Sequence, residues 1–202
     1  MGLEGRTGAK LAALGFSLER DDRDDPDNPK RGGYQRFKLG WYEGVDGDDF
    51  GYMKYRMDFA QYLPVGEYFD FLYWDSVLAV RLSGEMNNDI NDDNIPFFDL
   101  ARVGGGESVR AYQYNRFFDE NNLFGSIEYR YNIWTMRQYK VDATVFFDAG
   151  WIFNESSDFE FDQIKEGYGL GLRLVLPSFT MAFEGAHGDE GTEFYVTVNP
   201  IL

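Results

Sequence analysis

Residues 95–119 read IPFFDLARVGGGESVRAYQYNRFFD, and the interpretation of the whole sequence depends on this stretch. It lies between two sets of alternating polar and apolar residues, and it concentrates glycine, arginine and aromatic side chains. A β-hairpin loop usually takes about two to five residues, so this segment is too long for a simple turn. We interpret it as a large loop that folds back into the lumen of a membrane β-barrel, with Arg110 at its tip.

The bulk composition narrows the possible functions. The chain has 202 residues, of which 44% are hydrophobic, enough for one substantial domain. Its net charge of −16 would repel phosphate backbones, so nucleic acid is not an expected partner. There is no cysteine and one histidine, His187, which leaves too few parts for a zinc cluster or a Ser-His-Asp triad. We therefore predict no enzymatic activity, no metal and no cofactor.

No stretch approaches the roughly 20 consecutive apolar residues that a membrane helix needs, and the first residues lack the apolar core of a signal peptide. A membrane-spanning β-strand places only every second residue against lipid, so it shows no long apolar run. The sequence is therefore compatible with a membrane protein built from strands. We expect it to be a mature form or a piece of a larger protein.

Alternation with a period of two recurs along the chain. In residues 168–176, for example, Leu170, Leu172 and Leu174 share one side and Arg173 lies on the other. The other runs repeat this pattern, with apolar side chains on one side and ionisable groups on the other. The nine runs are residues 10–20, 34–43, 52–63, 71–82, 126–133, 140–150, 168–176, 179–186 and 193–198.

A soluble β-sandwich or barrel also alternates, but its strands usually have about five or six residues. Several of these runs come close to the length of about nine to eleven residues that a tilted membrane-spanning strand needs. Aromatic residues gather near run ends, as the interfacial girdles of a membrane barrel require. These residues are Trp41, Tyr42, Tyr62, Tyr68, Phe69, Trp134 and Trp151.

We predict an all-β fold, an antiparallel transmembrane β-barrel or the C-terminal part of one, with a soluble barrel or sandwich as the alternative. Residues 1–202 would form one barrel domain of about eight or nine strands, and residues 86–123 the long loop inserted in the lumen. Bacterial single-chain barrels use even strand numbers. Nine runs therefore imply either a small eight-stranded barrel or a barrel completed by another segment or a second copy.

Three motifs carry a resemblance to a known family. Residues 105–112, GGESVRAY, are similar to a loop motif of two glycines, a short spacer, then Val/Leu-Arg-Gly-Tyr/Phe. Residues 146–150, FFDAG, match Phe-x-Asp-x-Gly on a later strand, and residues 22–32 resemble an Asp-x-Arg-Asp turn that ends in Arg-Gly. The sequence thus resembles the C-terminal β-barrel of the bacterial surface antigen superfamily, which includes BamA-like outer-membrane assembly factors and two-partner-secretion transporters.

The sequence departs from the family pattern at two places. Ala111 stands where the family has glycine, so the tip must form without the conformational freedom of that residue. The last residues, 199–202, read NPIL instead of ending in the usual aromatic residue.

The resemblance and the alternation together predict a site. Asp148 falls on the same side as Asp142 and Thr144, which faces the lumen if the apolar side faces lipid. A guanidinium pairs bidentately with a carboxylate, so we predict an ion pair between Arg110 and Asp148. The alternative is that Arg110 lies in a solvated external loop. The predicted loop-tip residues are Gly105, Gly106, Val109, Arg110, Ala111 and Tyr112, and the predicted lumenal partners are Asp148, Glu128, Arg130 and Arg173.

The resemblance also implies a function in the outer membrane of a diderm bacterium. A barrel whose first and last strands meet weakly has a lateral seam that can pair with a client strand. We place the seam on the last strand, at Phe194, Val196 and Val198. The expected role is insertion of outer-membrane proteins, and the alternatives are polypeptide secretion or membrane anchoring of a separate domain. Expected partners are outer-membrane lipid, unfolded outer-membrane or secreted polypeptides, other assembly subunits, POTRA domains or a second copy.

Overall fold

The computed structural model describes residues 8–47, 49–68, 75–90, 95–154 and 163–200. Nine long strands and one short hairpin account for most of these residues, together with two single 3-10 turns at Val65–Glu67 and Phe97–Asp99. The strands are β1 (Leu11–Asp21), β2 (Gly32–Gly44), β3 (Gly51–Leu63), β4 (Ser76–Asp89), β5 (Ala101–Val103), β6 (Phe117–Asp119), β7 (Asn121–Met136), β8 (Tyr139–Phe153), β9 (Lys165–Val175), β10 (Thr180–Gly188) and β11 (Gly191–Val198).

The nine long strands form a single antiparallel sheet in the order β1-β2-β3-β4-β7-β8-β9-β10-β11. Each long strand therefore pairs with its neighbour along the chain, except that the segment between β4 and β7 leaves the sheet and returns to it. That segment contains β5 and β6, which pair with each other in a separate two-stranded hairpin. In the described sheet β1 and β11 are the two edges and are not hydrogen-bonded to each other.

The two faces of the sheet have opposite chemistry. Leu170 is 68% exposed and Phe194 is 79% exposed, whereas the side chains of Arg173 and Asp148 are fully buried on the other face. A soluble protein buries its apolar face, but a transmembrane barrel exposes it to lipid and keeps charged groups on the lumenal side. The faces predicted from the alternation are confirmed, and the sheet is the wall of a transmembrane β-barrel. We call its charged face the inner face.

The wall strands on either side of the long loop extend further into residues 86–123 than the sequence indicates. β4 continues to Asp89 and β7 begins at Asn121, so the segment between them is residues 90–120. The side-chain amides of Asn121 and Asn122 accept hydrogen bonds from the backbone N–H groups of Asn87 and Glu85. Asparagine is common in turns, but here these two side chains hydrogen-bond the start of β7 to the end of β4. Residues 71–74 of the fourth predicted run and residues 91–94 of the loop lie outside the described residues.

The predicted aromatic girdle is correct in part. Trp41, Tyr68 and Trp134 are exposed, as interfacial residues should be. Tyr62 is only 1% exposed, and it packs on the inner face with its ring 5.4 Å from the guanidinium carbon of Arg130, so its assignment to the girdle is wrong. Phe69 lies outside the described residues.

Helices contribute little to the described ranges, and none of them is both long and apolar enough to cross a bilayer.

Candidate functional site

The loop between β4 and β7 forms a compact tip against the inner face. Pairing of β5 with β6 brings its two arms together, and Gly104 and Gly105 adopt φ angles of +112° and +109°, which favour glycine. The backbone N–H of Asn115 donates to the carbonyl of Gly104, which closes the tip. Val109 and Ala111 are at most 1% exposed. Of the two glycines predicted for the loop tip, Gly105 adopts a positive φ and Gly106 does not.

Arg110 uses all five guanidinium N–H groups. Nε and Nη2 donate to the two carboxylate oxygens of Asp148, each at 2.9 Å. Nη1 donates to Glu128 and to Glu184, each at 2.7 Å, and Nη2 also donates to the hydroxyl of Ser126 at 3.2 Å. A guanidinium has five donors, so the side chain is fully satisfied although it is only 4% exposed.

Two more arginines join this cluster through one carboxylate. Glu128 is fully buried and accepts a hydrogen bond from Arg173 at 2.8 Å, while Nε of Arg130 lies 3.6 Å from the same carboxylate. Buried charges are tolerated only when they are paired. The three arginines face the three carboxylates of Asp148, Glu128 and Glu184, so the cluster is neutral overall. We call these six residues the lumenal ion network.

The Phe-x-Asp-x-Gly motif of β8 supports the tip with all three of its named residues. Phe146, Asp148 and Gly150 are two residues apart and therefore share the inner face. The guanidinium carbon of Arg110 lies 3.4 Å from the centroid of the Phe146 ring, which stacks under it. A Cβ at Gly150 would lie 2.7 Å from methyl carbons of two loop valines, so glycine leaves the space that the loop occupies.

Ala111 fits because two glycines face it. A Cβ at Gly167 would lie 2.6 Å from the Cβ of Ala111, and a Cβ at Gly188 would lie 2.8 Å from it. Ala111 does not adopt a positive φ, so the tip does not need glycine at this position. The departure from the family motif is therefore accommodated by the wall.

The loop is also tied to the hairpin of β10 and β11. The hydroxyl of Tyr195 donates to the carbonyl of Tyr112 at 2.5 Å. Arg116 makes two hydrogen bonds of 2.8 Å with Glu190, which lies in the turn between β10 and β11. The position of the last hairpin and the position of the loop are thus linked.

Residues 22–31, between β1 and β2, enter the lumen from the opposite end, and we call them the lumenal turn. Asn28 and Pro29 are buried, and Arg130 donates to the side chain of Asn28 at 3.3 Å and to the carbonyl of Pro29 at 3.0 Å. Arg31 forms a salt bridge of 2.6 Å with Glu67. Asn28 and Pro29 are thus held inside the lumen by Arg130, although the turn is rich in charged residues and proline.

The structure brings most of the predicted site residues together. Of the predicted partners, Asp148 and Glu128 contact Arg110 directly, and Arg130 and Arg173 contact Glu128. The residues predicted for the seam lie on the outer face of β11, away from the network; these are Phe194, Val196 and Val198. Sequence reasoning missed Glu184 as a partner, although the alternation of β10 already assigned it to the charged face. The described residues contain no group of three or more potential metal ligands.

The fold and site define a class of protein, a membrane β-barrel domain whose long loop is held in the lumen by ion pairs. The Omp85 superfamily domain model matches residues 3–198. The chain belongs to the Omp85 superfamily, whose barrels lie in the outer membrane. No curated protein matches the sequence significantly.

A solved structure supports the fold. The chain is similar to the crystal structure of BamA from Haemophilus ducreyi lacking POTRA domains 1–3, with a TM-score of 0.73 and 15% sequence identity. The match covers 92% of this chain and 42% of that chain. The chain therefore spans less than half the length of this relative.

Proposed function

We propose that this domain takes part in inserting outer-membrane proteins in a diderm bacterium, by pairing an edge strand of its wall with a strand of the client. The observation that carries the proposal is that one edge of β11 has no hydrogen-bonded neighbour in the described sheet. In the described sheet this strand is hydrogen-bonded to β10 alone, so its other side offers backbone N–H and C=O groups. Such an edge is a template for β-augmentation.

The outer face of β11 suits a partner strand that also spans the membrane. Phe194, Val196 and Val198 are all more than half exposed and would lie in lipid. A client strand added to this edge would continue the apolar surface without burying a charged group. The proposed partners are thus outer-membrane lipid and unfolded outer-membrane proteins, with POTRA domains, other assembly subunits or a second copy as further partners.

The lumenal ion network would give this edge a rigid support. The loop contacts β8 through Asp148, and it contacts the last hairpin through Tyr195 and Glu190. Because these contacts span β8 to β11, the network and the other loop contacts together would hold the wall behind the edge while a client strand pairs with the edge itself.

Insertion can be measured with liposomes that contain the purified protein. An unfolded eight-stranded barrel protein is added. Its folding is followed by electrophoresis of unheated samples, in which the folded and unfolded forms migrate as separate bands. We expect faster folding than in empty liposomes of the same lipid. An unchanged folding rate would contradict the proposal.

Cross-linking tests which strand receives the client. The chain has no native cysteine, so single cysteines can be introduced without background. A cysteine at Val196 on the edge strand should form a disulfide with a cysteine in the client strand. A cysteine at Leu82 is the matched control and should not form this disulfide, because Leu82 is exposed on β4, which is hydrogen-bonded to a neighbouring strand on each side.

Secretion of a polypeptide through the lumen is a second candidate function. It is favoured by a polar groove of about 780 Å³ that runs beside the loop on the inner face. The ion conductance of the purified protein in a planar bilayer distinguishes secretion from insertion. A secretion transporter should show open-channel currents, whereas a barrel whose lumen is closed by its loop should not.

A further inference from the structure

A groove on the inner face carries an unusual excess of positive charge. It lies between strands β1 to β4 and the loop, and its volume is about 780 Å³. We call it the basic groove, and five cationic side chains line it: Lys38, Lys54, Arg56, Arg81 and Arg102. Three carboxylates line it as well, namely Glu85, Asp99 and Glu107. A local excess of cations is unexpected in a chain whose net charge is −16.

Three of the five cations have no carboxylate within salt-bridge distance among the described residues. They are Lys38, Arg81 and Arg102. Lys54 is paired with Glu85 and Asp99, and Arg56 is paired with Asp58 and Glu85. Across the described ranges, the other cations without such a partner are Arg137 and Lys165. The cations that lack a carboxylate are therefore concentrated in this groove.

The register of the sheet adds to the unbalanced charge. Lys38 on β2 lies directly opposite Arg56 on β3. Like charges at opposite positions of an antiparallel pair destabilise it unless an anion lies beside them. Asp58 and Glu85 supply such anions for Arg56, whereas Lys38 has no carboxylate within salt-bridge distance among the described residues. Lys38 is exposed to the groove, so an anion can reach it.

Arg81 also lacks a carboxylate partner among the described residues, and it is more buried than Lys38. It is only 7% exposed, it donates to the backbone carbonyl of Glu107 at 2.7 Å, and its guanidinium carbon lies 5.3 Å from the Phe124 ring. A carbonyl and a ring face stabilise a cation less than a carboxylate does. Arg81 thus offers a second partner for an anion on the same groove.

We propose that the basic groove binds an extended polypeptide segment that carries aspartate or glutamate side chains. The proposal rests on the proposed function, because it names the kind of client sequence that the domain would accept. The groove runs beside the edge strand β1, whose inner residues Ala13 and Ser17 are small and leave room for a chain. Its lining is more polar than apolar, although Phe98, Leu100 and Phe124 also line it. Guanidinium groups pair bidentately with carboxylates, which favours acidic side chains as ligands.

The test measures binding directly, in detergent micelles and without any insertion reaction. A fluorescent ten-residue peptide of alternating glutamate and threonine is titrated with the protein, and its anisotropy is recorded. A peptide with glutamine in place of glutamate is the neutral control, and inorganic phosphate is the competitor. We expect the acidic peptide to bind at least about tenfold more tightly than the neutral one. Phosphate should displace it only at high concentration, since it offers one site and the peptide several.

Salt dependence and two variants decide the outcome. Binding in the groove should weaken as salt increases, because screening removes the attraction, whereas the net charge of −16 alone would give the opposite trend. Lys38→Glu should weaken binding about tenfold. Arg137→Glu makes a charge reversal of the same size in the exposed β7–β8 turn, outside the groove, and should leave binding unchanged.

Equal affinity for both peptides, affinity that rises with salt, or equal loss in the two variants would overturn the proposal. If liposome insertion is accelerated but the acidic peptide does not bind, the basic groove is not a client site and the proposed function stands. If the peptide binds but insertion is not accelerated, the proposed function fails and the groove remains a binding site.

Discussion

Arg110 holds Asp148 with both its main chain and its side chain. The backbone N–H donates to Oδ2 at 3.1 Å, and the guanidinium donates to both oxygens at 2.9 Å. One carboxylate on β8 thereby fixes the direction of the loop backbone and of the side chain at its tip. The hydroxyl of Ser126 donates to the same carboxylate at 2.6 Å and orients it.

Removal of this carboxylate should release the loop tip. Asp148→Asn leaves the buried charge of Arg110 without its bidentate partner, and breaking a buried ion pair in this way costs about 3–5 kcal/mol. A single cysteine at Val109, which is fully buried, should then become reactive to a polar maleimide. A cysteine at Glu107, exposed in the same loop, should react at the same rate in both proteins. A Val109 cysteine that stays protected in Asp148→Asn would contradict this role.

The close contact between Ala111 and Gly167 predicts that a substitution at one position compensates for a destabilising substitution at the other. Gly167→Ala places a methyl group 2.6 Å from the Cβ of Ala111 and should destabilise the fold by about 1–3 kcal/mol through overpacking. Adding Ala111→Gly removes the clash and should restore most of the lost stability, as measured by urea unfolding in micelles. Gly84→Ala, whose new Cβ would meet its nearest atoms at 3.5 Å, is the control and should be nearly neutral. Strictly additive effects of the two changes would refute the contact.

Arg130 should hold the lumenal turn in place. Arg130→Met removes both hydrogen bonds to the turn, while Glu128 keeps Arg110 and Arg173 as partners. Loss of about 1.5 kcal/mol would raise tryptic cleavage after Lys30 or Arg31 about tenfold. Arg137→Met, at the exposed turn between β7 and β8, serves as the comparison. Similar cleavage rates in the two variants would show that Arg130 does not secure this turn.

The hydrogen bonds of the lumenal turn also predict a lowered pKa for the carboxyl group of Asp22. The pKa of Asp22 lies below its ordinary value of 3.8, first because its carboxylate accepts the backbone N–H of Gly33 at 2.7 Å and second because of Arg20. Since the folded pKa is lowered, this stabilisation is present above pH 3.8 and is lost as the pH falls through the folded pKa.

Carboxyl NMR titration in micelles measures the pKa of Asp22. Arg20→Gln should raise it only part of the way to 3.8, because the larger contribution comes from Gly33. A wild-type pKa at or above 3.8, or a complete return to 3.8 in the variant, would be inconsistent with this hydrogen bond.

The two faces of the wall could be predicted because the alternation of side chains along a strand depends only on neighbouring residues in the sequence. Strand residues alternate between two environments, so Leu170, Leu172 and Arg173 reveal their faces from sequence alone. The contact between Arg110 and Asp148 was also accessible, because one motif marks the loop tip and another marks a lumen-facing carboxylate.

The remaining parts of the site depend on distances between strands that are far apart in sequence. Glu184 reaches Arg110 across 74 positions, and nothing in the local sequence separates it from other inward carboxylates. Prolines and charges around Pro29 are typical of a solvated turn, but Arg130 draws this segment into the lumen. Tyr62 looks like a girdle residue because it ends a strand, yet it covers Arg130 on the inner face.

The most direct test concerns which face of the sheet meets hydrocarbon. Nitroxide labels are placed at single cysteines at positions 53–57 of β3, which pairs with β2 and β4, and the protein is reconstituted in lipid. We expect collisions with oxygen to be highest at Met53, Tyr55 and Met57, and collisions with a water-soluble nickel complex to be highest at Lys54 and Arg56. A reversed pattern, or one without a period of two, would contradict a wall that separates lipid from an aqueous lumen.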